Sequence, residues 1–330
     1  MQTKILLNFA MVTADTTCGE AQGFLTGDMW NMYYWLHMFK KGYHYSFDYF
    51  KDETKIAELN NYDIVMFSGN DGHLNDIIKI AERIRAVTIF FPEGDISLYH
   101  DKAIHPETYR AWDACSVVSC VEEDKIPFYE ALTHSVVKFL HVPVPETFCN
   151  GGFHSGEFNK TNDILIYGDN NPNNPIVALA IARQLNLPVA ITALPAETIE
   201  FIKGYFGIRV SRHMGKLSQV EYLQQWVAPS KVIIYPTRWI GTARQVISGA
   251  LCGTPVIGNR DSHTQKRLFP MLGTYIYDIE KMCELTERLY TDARFYKDCC
   301  DFAFEQVKFY SEKSAIRRMI DLYNTAKGDK

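Results

Sequence analysis

No apolar run in this chain approaches the ~18 residues that a membrane-spanning helix needs, so no transmembrane segment is expected. None of its eight cysteines forms a Cys-x-x-Cys pair, and Cys299 and Cys300 are neighbours that cannot easily bridge each other. A reduced, cytoplasmic protein is the simplest reading. Positive charge is not in excess either. A formal net charge of −5 argues against duplex nucleic acid as the main partner, since such proteins carry a basic surface to neutralise phosphates. There is no His-Glu-x-x-His, P-loop or catalytic-serine elbow, no short repeat and no low-complexity tract. The N-terminus MQTKILLNFAMVTAD has one lysine and then an apolar run, which reads as a first buried strand rather than a signal peptide.

What is present is an ordinary globular composition, 47% hydrophobic and 22% charged, over 330 residues, which is enough for two domains. Short β-branched or aromatic runs alternate with helical stretches. Strands are expected at Lys4–Phe9, Tyr43–Phe47, Asp63–Phe67, Val87–Phe91, Cys115–Val121 and Val136–His141. Helices are expected at Leu25–Lys41, Asp52–Leu59, Leu74–Arg85, His105–Trp112 and Glu122–Leu132. The texture changes at CNGGFHSGEFNKTN, read as a linker over 149–162. Beyond it the alternation restarts, with strands at Asp163–Tyr167, Pro188–Thr192, Ile208–Val210, Lys231–Tyr235 and Pro255–Gly258. Helices fall at Ile176–Leu185, Ala196–Tyr205, Gln219–Trp226 and Thr242–Leu251, and the chain is helical from Ile279 onward. This is an α/β protein of two Rossmann-like parallel-sheet domains, 1–148 and 163–311.

The most informative stretch is Ser218–Pro270. Ala243, Val246, Ile247, Ala250 and Leu251 form a continuous core-facing stripe on one helix, with Thr242 as its cap and Gly253 as its stop. The helix follows the loop Pro236–Gly241, which leaves the carboxyl end of a parallel strand, where doubly wound folds bind ligands. Free N–H groups and the positive dipole end make Gly241 and Thr242 a seat for phosphate. Between Tyr222 and Ile279 stand Lys231, Arg238, Arg244, Arg260, Lys266 and Arg267 against Asp261 and Asp278, a local charge of +4 in an acidic chain. Arg238, Arg244, Arg260 and Lys266 are the candidate phosphate contacts.

The segment GKLSQVEYLQQWVAPSKVIIYPTRWIGTARQVISGALCGTPVIGN resembles the C-terminal-domain signature of retaining nucleotide-sugar glycosyltransferases of the glycosyltransferase-B fold, group 1 and family-4-like. The tail ARFYKDCCDFAFEQVKFYSEKSAIRRMIDLYNTA is similar to the family's closing helices, the last of which, about 312–330, packs back on the first domain. The loop TTCGEAQGF resembles its N-terminal glycine-containing loop, which makes Gly19 a donor-phosphate candidate. The resemblance implies two domains facing each other across a cleft, an acceptor domain and a donor-nucleotide domain. Its implied reaction is metal-independent transfer of a sugar, with retention, from a nucleoside-diphosphate donor, a UDP-sugar first, to a hydroxyl acceptor. No other cofactor is implied. The acceptor stays open among a glycan, a lipid-linked sugar, a small molecule and a modified base. Family members carry two glutamates eight positions apart around the donor helix, where this chain has Ile240 and Ser248; Ser248 can offer the ribose one hydrogen bond. Two alternatives therefore stand beside the main reading: a viral-type enzyme acting on modified DNA bases, and an inactive nucleotide- or sugar-binding module.

Glycosyltransferases of the other major fold hold a metal with Asp-x-Asp, and no two aspartates here are separated by one residue. Polar loops follow two expected strand ends, Gly69–His73 and Pro92–Asp95. Glu93, Asp95 and His73 are the candidates for a base on the acceptor hydroxyl or a hydrogen bond to the transferred sugar, with His100 behind them; both loops equally fit ordinary turns. His213 and His263 read as structural histidines, His263 with some claim because it sits among the cations. The aromatic stretch Trp30–Phe50 reads as core, with Tyr34 or His37 available to line an acceptor groove.

Overall fold

The protein is described here from a computed structural model covering residues 5–20, 34–68, 71–91, 106–152, 160–161, 163–167, 175–192, 194–214, 219–237 and 243–328. The chain divides into two compact units, Met1–Val144 with Tyr310–Lys330, and Pro145–Phe309.

The first unit runs β1 (Ile5–Thr13), β2 (Gly19–Glu20), α1 (Tyr34–Met38), β3 (Phe39–Ser46), β4 (Ile64–Ser68), α2 (Leu74–Ala81), β5 (Val87–Phe90), α3 (Pro106–Ala114), β6 (Val117–Cys120), α4 (Ile126–Glu130) and β7 (Val136–Phe139). Its sheet has the order β2-β3-β1-β4-β5-β6-β7, all parallel except the short β2, which lies antiparallel on β3. Helices cover both faces, so the strands are apolar nearly throughout and their side chains alternate between two cores. Phe9, Met11, Ile64, Met66, Val87 and Ile89 point to the side of α1 and the C-terminal helix Glu312–Gly328. Ala10, Val12, Val65, Phe67 and Phe90 point to the side of α2 and α3. The C-terminal helix joins its core through Ala315, Met319, Leu322 and Ala326, a seam spaced 4-3-4 along one face.

Several element boundaries differ from the sequence expectation. Phe39–Lys41, expected at the end of a helix, belong to β3 because β1 pairs with them, and tertiary pairing outweighs local propensity. The reversal from α1 into β3 has no connector. Gly42 permits it, since a Cβ there would stand 2.2 Å from the Leu36 carbonyl oxygen. Residues 25–33 of the expected helix lie outside the described residues. The stretch expected as a helix at Asp52–Leu59 winds as a 3-10 helix over Glu53–Asn61.

The second unit runs β8 (Ile164–Tyr167), α5 (Pro175–Gln184), β9 (Val189–Thr192), α6 (Ala196–Phe206), β10 (Val210–Met214), α7 (Gln219–Tyr222), β11 (Val232–Tyr235), α8 (Arg244–Cys252), β12 (Val256–Asn259), α9 (His263–Leu268), β13 (Gly273–Thr274), α10 (Ile279–Thr291) and α11 (Ala293–Val307). Its sheet is parallel with the order β10-β9-β8-β11-β12-β13. Counted within the unit this is 3-2-1-4-5-6, the Rossmann order, with the reversal between β8 and β11. The strand expected at Ile208–Val210 forms later, as β10. Two aspartates cap the long helices: Asp278 accepts from the Lys281 amide at 3.1 Å and Asp292 from the Phe295 amide at 2.9 Å.

Candidate functional site

In an open α/β sheet the ligand-binding loops leave the carboxyl ends of the strands at the order reversal. In the second unit those loops are 168–174 after β8 and 238–242 after β11, and both lie outside the described residues. Arg238, Gly241 and Thr242 fall there. The helix itself begins later than expected: Ala243, not Thr242, holds the cap position, with left-handed backbone at φ 38° and ψ 60°. A non-glycine residue in that region carries strain of about 1–2 kcal/mol, which the surrounding packing must hold. Ala243, Val246, Ile247, Ala250 and Leu251 are all buried, as the stripe required.

The rest of α8 is also enclosed. Ser248 is 1% exposed, and a Cβ on Gly249 would meet Val256 Cγ2 at 2.3 Å and the Thr254 carbonyl at 2.6 Å. At its far end Gly253 turns left-handed (φ 60°) and the Thr254 amide returns to the Gly249 carbonyl at 2.8 Å, so the last turn is closed. Lys160 adds a cation there. Its ammonium donates to Ala228 O (2.6 Å), Thr254 Oγ1 (2.7 Å) and Cys252 O (3.3 Å), and burial brings its pKa down to about 8. The helix thus has a charge-complemented carboxyl end and an amino end that emerges from the carboxyl side of β11.

The cations of this region divide. Arg244 is exposed at the first helical position of α8. Arg260 directly follows β12; its amide donates to Thr274 O at 2.9 Å and its guanidinium lies 4.3 Å over the exposed ring of Tyr275. Lys266 is exposed on α9. Lys231 and Arg267 serve elsewhere: Lys231, at the amino end of β11, covers Tyr296 at 4.2 Å, and Arg267 lies 3.6 Å over Phe309. Around Arg260 the strand ends are polar and closed to solvent, with Asn259 donating to Thr237 O at 3.3 Å. The Ser262 and Thr274 hydroxyls, 2% and 3% exposed, have no hydrogen-bond partner among the described residues, and leaving such a group unmet costs about 1–3 kcal/mol. Composition gave no signal for them; Thr274 stands opposite Asn259 through the pairing of β12 and β13, and Ser262 directly precedes α9.

In the first unit the order reverses between β1 and β4. Thr13 stands opposite Ser46 of β3 and Ser68 of β4, so three buried hydroxyl residues make a row where three apolar strands end. His44, fully buried, bonds through Nε2 to Thr13 Oγ1 at 2.8 Å, and burial lowers its pKa to about 4 despite Asp15 and a bond to the Thr17 backbone. Gly19 sits in β2 opposite His44. His73 precedes α2, meets Asp76 Oδ2 at 3.3 Å and stacks flat on Phe47, 4.5 Å between centroids, next to Ser46. Glu93, Asp95 and His100 lie outside the described residues, as does the side chain of His213. Tyr34 is half-buried, and its hydroxyl donates to buried Glu312 at 3.1 Å. His263 is 7% exposed, its ring 6.1 Å from that of Phe309. Among the described residues no group of three or more His, Cys, Asp or Glu side chains is placed to hold a metal ion, and no helix is long and apolar enough to cross a membrane.

No protein-family model matches this chain, and no curated protein matches it in sequence. Solved structures match it along its length. One is an α,α-trehalose 6-phosphate synthase from Burkholderia multivorans, at TM-score 0.72 and 8% identity, covering 98% of this chain and 100% of that one. HepE from Anabaena, solved with UDP-glucose, aligns at TM-score 0.68 and 9% identity, with 97% and 100% covered. An α-glucosyltransferase solved with UDP and a 13-mer DNA aligns at 0.62 and 10%, with 97% and 99% covered. At such identities the likeness is one of fold. The chain has the glycosyltransferase-B fold, two Rossmann-like parallel-sheet units of the kind its sequence resembles.

Proposed function

We propose that this protein is a glycosyltransferase that moves a sugar from a nucleoside-diphosphate donor, UDP-glucose in class, to a hydroxyl acceptor. The observation that carries the reading is α8: a helix closed at its carboxyl end, with Arg244 in its first turn and Arg260 at the end of the adjacent strand. That arrangement supplies dipole and guanidinium charge where a leaving diphosphate develops negative charge, commonly the largest electrostatic contribution to such a reaction. Arg238, Gly241, Thr242 and Lys266 belong to the same proposed contact set, with Gly19 toward the phosphates; Ser248, 1% exposed on α8, is enclosed and leaves the set. The missing Asp-x-Asp supports metal independence, and the sequence resemblance supports retention. Glu93, Asp95 and His73 are the proposed groups for the acceptor hydroxyl.

A thermal-shift panel of UDP, GDP, ADP, CMP and dTDP sugars, followed by mass analysis of products, tests this. At a hundred times its dissociation constant a bound donor stabilises the native state by about 2.7 kcal/mol. Arg260→Ala and Arg244→Ala should each weaken donor binding by about tenfold, the value of one charge-assisted hydrogen bond to phosphate. The reading is falsified if folded protein binds none of these donors at millimolar concentration.

The structural likeness to the DNA-bound α-glucosyltransferase supports a second acceptor class, a modified DNA base. A salt-sensitive mobility shift of DNA by the protein would favour it over a small or glycan acceptor. Donor binding without turnover or hydrolysis would instead mark a silent binding module, the reading favoured by Ile240 and Ser248 standing where the family carries glutamates.

A further inference from the structure

The loop leaving β1 is Ala14–Cys18, short, polar and exposed, followed by the two-residue strand β2. Two residues of antiparallel pairing order a chain poorly by themselves, and each residue fixed costs about 1–2 kcal/mol of conformational entropy. Other contacts must hold this loop, and they converge on one buried pair. Thr13 Oγ1 accepts the Asp15 amide at 3.1 Å and shares its remaining bond with His44 Nε2 at 2.8 Å. Asp15 Oδ1 takes the Thr17 amide (2.9 Å) and hydroxyl (2.8 Å), and the Ser46 amide donates to Cys18 Sγ at 3.2 Å. The Thr13 hydroxyl carries one proton and two lone pairs, so while accepting the Asp15 amide it can still donate to the His44 ring or accept from it.

An apolar side chain would fill the His44 position at no polar cost, as Tyr43 and Tyr45 on either side show that β3 tolerates large rings. Burying an imidazole is costly unless it is hydrogen-bonded, and the side-chain bond seen here runs to Thr13, which itself holds the loop through the Asp15 amide. His44 is 0% exposed and so cannot touch a ligand itself. We infer that Thr13 and His44 are positioning residues that set the conformation of the Ala14–Glu20 loop, to which the donor-binding reading above assigns the phosphates through Gly19. The ligand role of the loop rests on that reading; the positioning role does not.

Hydrogen exchange measured on full-length Thr13→Val, Thr13→Ser and His44→Asn separates the two. In Thr13→Val, amides of 14–20 should exchange about tenfold faster while those of β4 and β5 stay unchanged, and Thr13→Ser, which keeps the hydroxyl, should restore the native rate to within about threefold. For UDP-glucose, the same Thr13→Val change should raise the dissociation constant or KM about tenfold with kcat within about threefold, again recovered by Thr13→Ser. Unaltered exchange in 14–20, or acceleration spread evenly through β1, β3 and β4, would overturn the positioning role. Accelerated exchange with unaltered donor affinity would overturn the ligand-facing role. If the wild-type protein binds no nucleotide sugar at all, the proposed function fails while the exchange result still decides the positioning role.

Discussion

His44 shows how one residue ties stability to pH. Its folded-state pKa is about 4 against an ordinary 6.5, because burial penalises the imidazolium more than Asp15, the charged group facing it, favours it. The folded protein therefore binds fewer protons than the unfolded chain between those values. Stability from this group is complete above about pH 6.5, declines as pH falls, and is spent near pH 4. The linkage is on the order of 3 kcal/mol. Denaturant titrations of wild type and His44→Asn across pH 4–7 should give a difference curve with that slope; parallel curves would show that the ring is not buried neutral. No sequence pattern exposed this residue. Within GYHYSF it reads as one more member of an aromatic strand, and its role depends on Thr13, 31 positions away.

At the scale of elements, α8 and the C-terminal helix are held by different means. α8 lies against β12 at a glycine. In a free helix Gly249→Ala would gain about 1 kcal/mol of propensity. Here the new methyl meets the Thr254 carbonyl at 2.6 Å, which is backbone and cannot swing aside, so overpacking wins. A net loss of about 1–3 kcal/mol is expected by chemical denaturation, with donor affinity falling too if α8 shifts. The C-terminal helix is held by side chains: its apolar seam, and Arg318 Nη1, which donates to His141 Nε2 at 2.8 Å while His141 Nδ1 donates to Val142 O. Met319→Ala should cost about 2–5 kcal/mol, since the side chain is fully enclosed; an unchanged denaturation midpoint would mean that the helix is not docked in solution. The seam was readable from its spacing. The close approach at Gly249 was not, because a glycine inside a helix pattern looks the same whether a neighbouring strand touches it or not.

For the whole molecule, the notable feature is that the first unit is made of two separate lengths of chain. The chain leaves it at Val144 and returns at Tyr310, and the two points are tied: the Val144 amide donates to Tyr310 O at 2.9 Å and the Glu312 amide to Val144 O at 2.8 Å. A chain ending at Phe309 would strip Met319, Leu322, Ala315 and Ala326 from a core that also contains Phe9, Met11 and Trp35. Such a truncation should be recovered insoluble, or bind a hydrophobic dye, while the full chain does neither; a soluble, cooperatively melting truncated protein would contradict this packing.

Local patterning alone determined the α/β class, the alternation in both halves and the buried stripe of α8. Strand and helix periods are set by which residues must face a core, and that requirement is written into neighbouring positions. Tertiary structure decided the rest. The strand orders, the row Ser46–Thr13–Ser68, the left-handed Ala243 and the separation of Lys231 from Arg260 all depend on which strands lie side by side, and pairing between distant segments leaves no local periodicity to read.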